Sequence, residues 1–161
     1  MEAKVAACQR IIQYSVTDMR LILEALNMSG QGLFFQGQWM KLPKNTRLAV
    51  YGDSAAAHYM CRRWVEMPLT KEQWTGIRKH VLGNSILGRT GIRMGLNYCL
   101  NLNPGTTEVS HDMMATSVEA ILGAVHLDGG DQALASVMTA LGLTSDLLVR
   151  LRPSPFVFSV L

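Results

Sequence analysis

At 161 residues the chain has room for one compact domain, and 48% hydrophobic against 17% charged residues excludes a disordered protein. A net charge of +3 is too small to point to a nucleic-acid partner unaided. No stretch reaches the roughly 18 unbroken apolar residues of a membrane span, so no membrane partner is expected. Met1-Glu2-Ala3-Lys4 lacks the charged-then-apolar pattern of a secretory signal. Cys8, Cys61 and Cys99 are widely spaced and form no CxxC pair. They read as reduced thiols of an intracellular protein, with cytoplasm, nucleus and mitochondrion all left open.

In chain order, apolar residues at Val5, Cys8, Ile11, Ile12 and Val16 predict a helix over 4–16. Thr17 or Asp18 caps a second helix through Leu26. Gly30, Gly32 and Gly37 break the pattern, leaving a loop to Pro43 that carries Phe34, Phe35 and Trp39. A third helix runs over 48–65 and stops before Pro68. Thr70 caps a fourth over 71–82, and a fifth covers 85–100. After a turn-rich break at 101–105, the longest helix starts at Ser110 or His111 and reaches Leu127, ended by Asp128-Gly129-Gly130. A last helix spans 132–141 and closes at Gly142. The expected fold is all-α, divided into an N-terminal helix (1–16), a domain (17–142) and a tail (143–161). That tail holds Pro153, Pro155 and the apolar end Phe156 to Leu161.

Charge is unevenly spread. Lys41, Lys44, Arg47, Arg62, Arg63, Arg78, Lys79, Arg89 and Arg93 crowd the middle, whereas 95–149 contains no Lys or Arg. The central third is either a cationic binding surface or a set of ordinary solvated helix faces.

Two segments place one carboxylate each among small and apolar neighbours: Gly52-Asp53-Ser54-Ala55-Ala56-Ala57, and Thr116-Ser117-Val118-Glu119-Ala120. A charge in such surroundings is costly unless a cation meets it. On the long helix, Met114, Val118, Ile121, Leu122 and Val125 share one face. Asp112, Thr116, Glu119, Gly123 and His126 form a polar stripe opposite. If the small-residue helices pack together, Asp53 and Glu119 face each other across the contact. Either an Arg or Lys from a neighbouring helix meets them, or a divalent ion such as Mg²⁺, which accepts one or two carboxylates. The four histidines form no metal-binding pattern such as HExxH, and Ser54 has no nucleophile-elbow context, so neither type receives a catalytic role.

In sequence, the segments resemble the two signatures of ribonuclease III, the endonuclease of double-stranded RNA. Asn45, Arg47, Leu48, Gly52 and Asp53 match the first, and Glu119, Ala120, Gly123 and Ala124 the second. Leu21 to Leu26, Leu69-Thr70 through Arg78, Asn84 to Leu87 and Leu127 to Gly130 are similar to framing segments, so the likeness covers about 17–142. Three usual acidic positions of the family fall on Thr46, Ala49 and Thr116. The pattern is similar to the minimal Mini-III branch, whose signatures read Ala-x-x-x-Gly-Asp and Thr-x-x-Glu-Ala and which lacks a separate RNA-binding domain. The resemblance implies a Mg²⁺-dependent endonuclease (Mn²⁺ as substitute) that acts as a symmetric homodimer and leaves staggered ends. The alternative it allows is an inactive relative kept for RNA binding or as a mitochondrial-ribosome component.

On that reading Asp53 and Glu119 are the catalytic metal ligands, and Thr116 holds a metal-bound water. Asp112, two turns before Glu119 and about 10 Å away by helical rise, does not replace the missing acid. Arg47, Arg62, Arg63, Arg78 and Lys79 are the expected RNA contacts, because A-form RNA is recognised largely through phosphates and shape. The Phe34-Phe35 loop, Met60 and Trp64 are the candidate dimer contacts.

Overall fold

The computed structural model describes residues 1–149. The expected features at Pro153, Pro155 and Phe156 to Leu161 lie outside the described residues. Among the described residues, seven helices and one small hairpin follow in order: α1 (Glu2–Ile12), α2 (Met19–Ala25), β1 (Leu33–Phe35), β2 (Gln38–Met40), α3 (Thr46–Val65), α4 (Lys71–Leu82), α5 (Asn84–Met94), α6 (His111–Ala140) and α7 (Asp146–Val149). A 3₁₀ turn, Leu96–Cys99, follows α5.

Helix α6 is the axis of the molecule, with α3, α5 and α2 packed around it. Met114, Val118, Ile121, Leu122 and Val125 are all buried along it. Burying each large aliphatic side chain contributes on the order of 1.5–3 kcal/mol, which is why this segment leads the core. Ser110 starts the helix by accepting a hydrogen bond from Met113 N at 3.2 Å. Gly130 interrupts it with φ 68° and ψ −162°, so the expected stop at Asp128-Gly129-Gly130 is a kink between two helical segments. Gly142, at φ 71°, closes the second segment as expected.

Caps explain most other boundaries. Asp18 accepts from Arg20 N at 2.9 Å and starts α2. Thr70 and Gln73 form a reciprocal capping box on α4. Three expectations change. The helix over 85–100 is broken because Gly95 adopts φ 82°, separating α5 from the 3₁₀ turn. The loop to Pro43 contains a hairpin, in which Gln36 and Gly37 both take positive φ (49° and 78°). That pair suits the tight turn that matches strand twist. The first helix also ends earlier, at Ile12, with Gln13 in the left-handed region.

A buried polar layer fixes where α3 begins. Asn45 Nδ2 donates to Ala25 O at 3.0 Å and to Ser117 Oγ at 3.3 Å, tying the start of α3 to α2 and α6. Its backbone N–H bonds to Asn27 O at 2.9 Å. Asn27 in turn donates to the carbonyls of Leu42 and Pro43. Inside the core such bonds must be made, so they set the register of α3 and with it the place of Asp53.

Candidate active site

Helices α3 and α6 cross with their backbones nearly touching. A methyl group on Gly52 would overlap the carbonyl oxygen of Glu119 and stand 2.7 Å from Gly123 N. One on Gly123 would stand 2.5 Å from Leu48 O. Ala49, Ala56, Ala120 and Ala124 extend the contact, all of them buried. Asp53 follows Gly52 directly, and Glu119 precedes Gly123 by one turn. Both carboxylates therefore line the same cleft, whose volume is ≈ 580 Å³.

Helix α4 supplies another wall. Lys71, Trp74, Thr75, Arg78, Lys79 and Leu82 line it, with Gly83 and Asn84 at its end. The spacing of Lys71, Trp74 or Thr75, and Arg78 or Lys79 is that of one helical face. The site is thus two acids at a helix crossing, opposed by a basic face.

Arg78 Nη2 donates to Asp53 Oδ2 at 3.1 Å and lies 3.4 Å from Oδ1. Both side chains are partly open to solvent, at 48% and 36% exposure. Glu119 is less accessible. Burial, then the negative charge of Asp53, pushes its carboxyl up to about 7, while Arg78 opposes the shift. Two acids that repel each other in a half-buried cleft form a receptor for positive charge. Their oxygen donors suit a hard cation such as Mg²⁺ or Mn²⁺, with water completing the coordination. Among the described residues, no cluster of three or more His, Cys, Asp or Glu side chains is placed to share an ion.

The other expected residues are scattered. Thr116 lies one turn before Glu119, its hydroxyl donating to Asp112 O at 3.0 Å, and it is not part of the cleft lining. Arg47 is exposed in the first turn of α3. Arg62 pairs with Asp131 at 2.9 Å, well beyond Asp53 along α3. Arg63 reaches Tyr59 Oη at 3.2 Å and Leu148 O at 3.3 Å, holding α7 against α3. Of the five expected basic residues, Arg78 and Lys79 line the cleft and the other three do not. Met60 is buried in the core and Trp64 stacks on Trp74 at 5.6 Å, whereas Phe34 is half exposed beside Trp39.

Several participants are not evident from sequence. Lys71, Trp74 and Thr75 belong to the cleft, and the periodicity of α4 counted backwards from Arg78 is the signal that points to them. A second linkage also emerges. Tyr51 Oη lies 2.8 Å from His126 Nδ1, and His126 Nε2 lies 3.0 Å from Asp131 Oδ1, whose other oxygen holds Arg62. This chain of bonds laces α3 to α6 beyond the glycine crossing and away from the two acids.

Known proteins share this arrangement of helices. The family model of the ribonuclease III domain matches residues 46–130, a span that contains both carboxylates and all of α4. Ribonuclease 3 of Rhodopirellula baltica is 29% identical over 136 residues, covering 81% of this chain and 48% of that protein. Ribonuclease 3 of Syntrophotalea carbinolica is 30% identical over 151 residues, covering 88% and 63%. The chain thus spans about half to three-fifths of these relatives. Two structures of the ribonuclease III nuclease domain from Campylobacter jejuni superpose with TM-scores of 0.70 and 0.64. Identity there is 15% and 16%, and coverage is 85% and 84% of this chain against 95% and 92% of those domains. One of these structures is described for flexibility in a region involved in dimer formation. The shared fold is that of a nuclease domain.

Proposed function

This chain belongs to the ribonuclease III domain family, and from that premise we propose that it is a divalent-metal-dependent endonuclease of double-stranded RNA. The observation that carries the reading is the meeting of Asp53 and Glu119 at one edge of the Gly52–Gly123 crossing, opposite a basic helix face. Asp53 and Glu119 are the residues that would hold the ion. Bound there, Mg²⁺ or Mn²⁺ supplies an activated water and neutralises charge developing on the scissile phosphate.

The protein's own groups do the rest. Glu119, its carboxyl pushed up to about 7 by burial and by Asp53, would face the ion in its ionised form. Asp53 is set by the glycine before it, which brings its helix against α6 without a side chain between. Lys71 and Lys79 stand on the cleft wall opposite the acids, where they would meet RNA phosphates. Among the described residues two acids line the cleft, so the ion would be held less firmly than by a richer set and the Mg²⁺ requirement would be correspondingly high. A symmetric dimer with one such site per subunit would cut both strands and leave staggered ends, with the exposed Phe34 and Trp39 of the hairpin available to the interface.

Incubation of long duplex RNA with purified protein across a Mg²⁺ series tests this, beside Asp53→Asn and Glu119→Gln. Staggered products that vanish in both variants, with duplex binding kept, support the enzyme. Sedimentation measures the dimer separately.

One observation favours a second reading. Asp53 already has a cationic partner in Arg78, and among the described residues no third acid stands near. On that reading the domain is a non-catalytic RNA-binding or ribosome-associated scaffold, and the duplex remains intact at every Mg²⁺ concentration.

A further inference from the structure

Resting on the metal-dependent reading, we propose that Arg78 is the resident cation of Asp53 in the metal-free protein and that an incoming divalent ion binds by displacing it. One guanidinium nitrogen straddles both carboxylate oxygens, at 3.1 and 3.4 Å, and so covers the edge an ion would use. Among the described residues Arg78 makes these hydrogen bonds to Asp53 alone, on a side chain about half exposed. An exposed pair of this kind is weak and exchanges readily, unlike a buried one.

The neighbouring charges make the assignment specific. Lys71 and Lys79 share the cleft, yet neither forms an ion pair with Asp53 or Glu119. Glu119 feels Arg78 only through space, as a weaker influence than its burial or its repulsion from Asp53. A single positive charge therefore serves two acids incompletely. A divalent ion held by both carboxylates would serve them together, and the exchange would free the Arg78 guanidinium from Asp53. Arg78 thus acts as a positioning residue: it holds Asp53 at the cleft edge until the ion arrives.

Competition of this sort leaves a signature in binding without RNA. The measurement is Mn²⁺ affinity of the full chain, followed by the electron paramagnetic resonance of free Mn²⁺, for the wild type, Arg78→Ala, Arg78→Lys, Lys79→Ala and Asp53→Asn. Displacement predicts that Arg78→Ala tightens Mn²⁺ binding by roughly threefold to fivefold. Arg78→Lys should fall between the wild type and Arg78→Ala, since an ammonium lacks the planar fork. Lys79→Ala, which leaves the ion pair intact, should shift affinity by less than half as much on a logarithmic scale. Unchanged or weaker binding in Arg78→Ala overturns the proposal, and so does an equal gain in Lys79→Ala, which would reduce the effect to general cleft charge. If Mn²⁺ binds wild type and Arg78→Ala equally and is lost in Asp53→Asn, the metal site stands and the displacement alone fails. Should neither wild type nor Arg78→Ala bind Mn²⁺, both proposals fall together.

Discussion

Gly52 and Gly123 meet with no side chain between them, and the backbone approach they allow sets the spacing of the helices that carry the two acids. Alanine at Gly52 forces α3 and α6 apart, because its methyl would meet fixed backbone on α6 rather than a flexible side chain. Overpacking of this kind should destabilise the fold by about 3 kcal/mol, measured by chemical denaturation. Gly76 supplies the control. It lies inside α4 with open space where a methyl would go, so Gly76→Ala should stabilise by about 0.5–1 kcal/mol through helix propensity alone. Equal effects at the two positions would refute the role of the crossing.

Glu119 gives the metal-free protein a characteristic pH dependence. Its folded carboxyl titrates at about 7, above the 4.5 of an unperturbed glutamate. Between these values the native state keeps a proton that the unfolded chain has released. Stability therefore falls as pH rises from about 4.5 to above 7. Glu119→Gln removes this dependence, so its Tm should exceed that of the wild type at pH 8 and approach it at pH 4. Added Mg²⁺ should recover wild-type stability at pH 8 but leave Glu119→Gln nearly unchanged. A wild-type Tm that climbs steadily from pH 5 to 8 relative to the variant contradicts the sign.

On the α4 wall, Lys71 and Lys79 predict a graded electrostatic effect on duplex binding. Removing one phosphate-binding cation should reduce the slope of log affinity against log salt by about 1. Lys71→Ala and Lys79→Ala should both do so, while Arg62→Ala, whose charge is paired with Asp131 at the far end of α3, should leave the slope unchanged. Fluorescence anisotropy with a labelled duplex over a salt series separates these outcomes. An Arg62 effect as large as the lysines' would move the RNA track off the cleft.

Asp128 fastens the N-terminal segment to α6 just before its kink. It accepts from Tyr14 Oη at 2.7 Å and from the backbone N–H groups of Thr17 and Asp18 at 3.0 and 2.9 Å. Burial pushes its carboxyl up, but these donors outweigh that and hold it below the usual aspartate range. A lowered folded value contributes stability above the unfolded one and loses it as pH falls through the folded one. Asp128→Ala should cost about 1 kcal/mol at pH 7 and markedly less in acid. A constant cost down to pH 2, measured by denaturant titration, would show that the bonds do not depend on the charge.

Periodicity and composition made the helical frame readable from sequence. The small residues around Asp53 and Glu119 implied close helices, and the polar stripe from Asp112 to His126 marked the side of α6 that α3 meets. The cap at Thr70 and the stop at Gly142 followed from local chemistry. The hairpin at 33–40 was hidden because its strands are three residues long, too short for alternation to register. The break at Gly95 was missed because an isolated glycine inside a helical pattern is often tolerated. Tertiary partners were least legible: nothing in the neighbourhood of Arg62 or Arg63 announces that they bond to Asp131 and Leu148. The choice between an arginine and a metal at Asp53 was posed by the sequence, and α4 adds the arginine that makes it a matter of exchange.

The glycine crossing also separates architecture from chemistry. Main chain, not side chain, sets the spacing of the two helices here, so the residues mounted at its edge can be exchanged without rebuilding the frame. Histidine in place of Glu119, or cysteine in place of Asp53, would offer softer donors from the same backbone positions. The fold is a mount for redesign, in which the groups offered to the cleft are rewritten at two positions while the helices stay where they are.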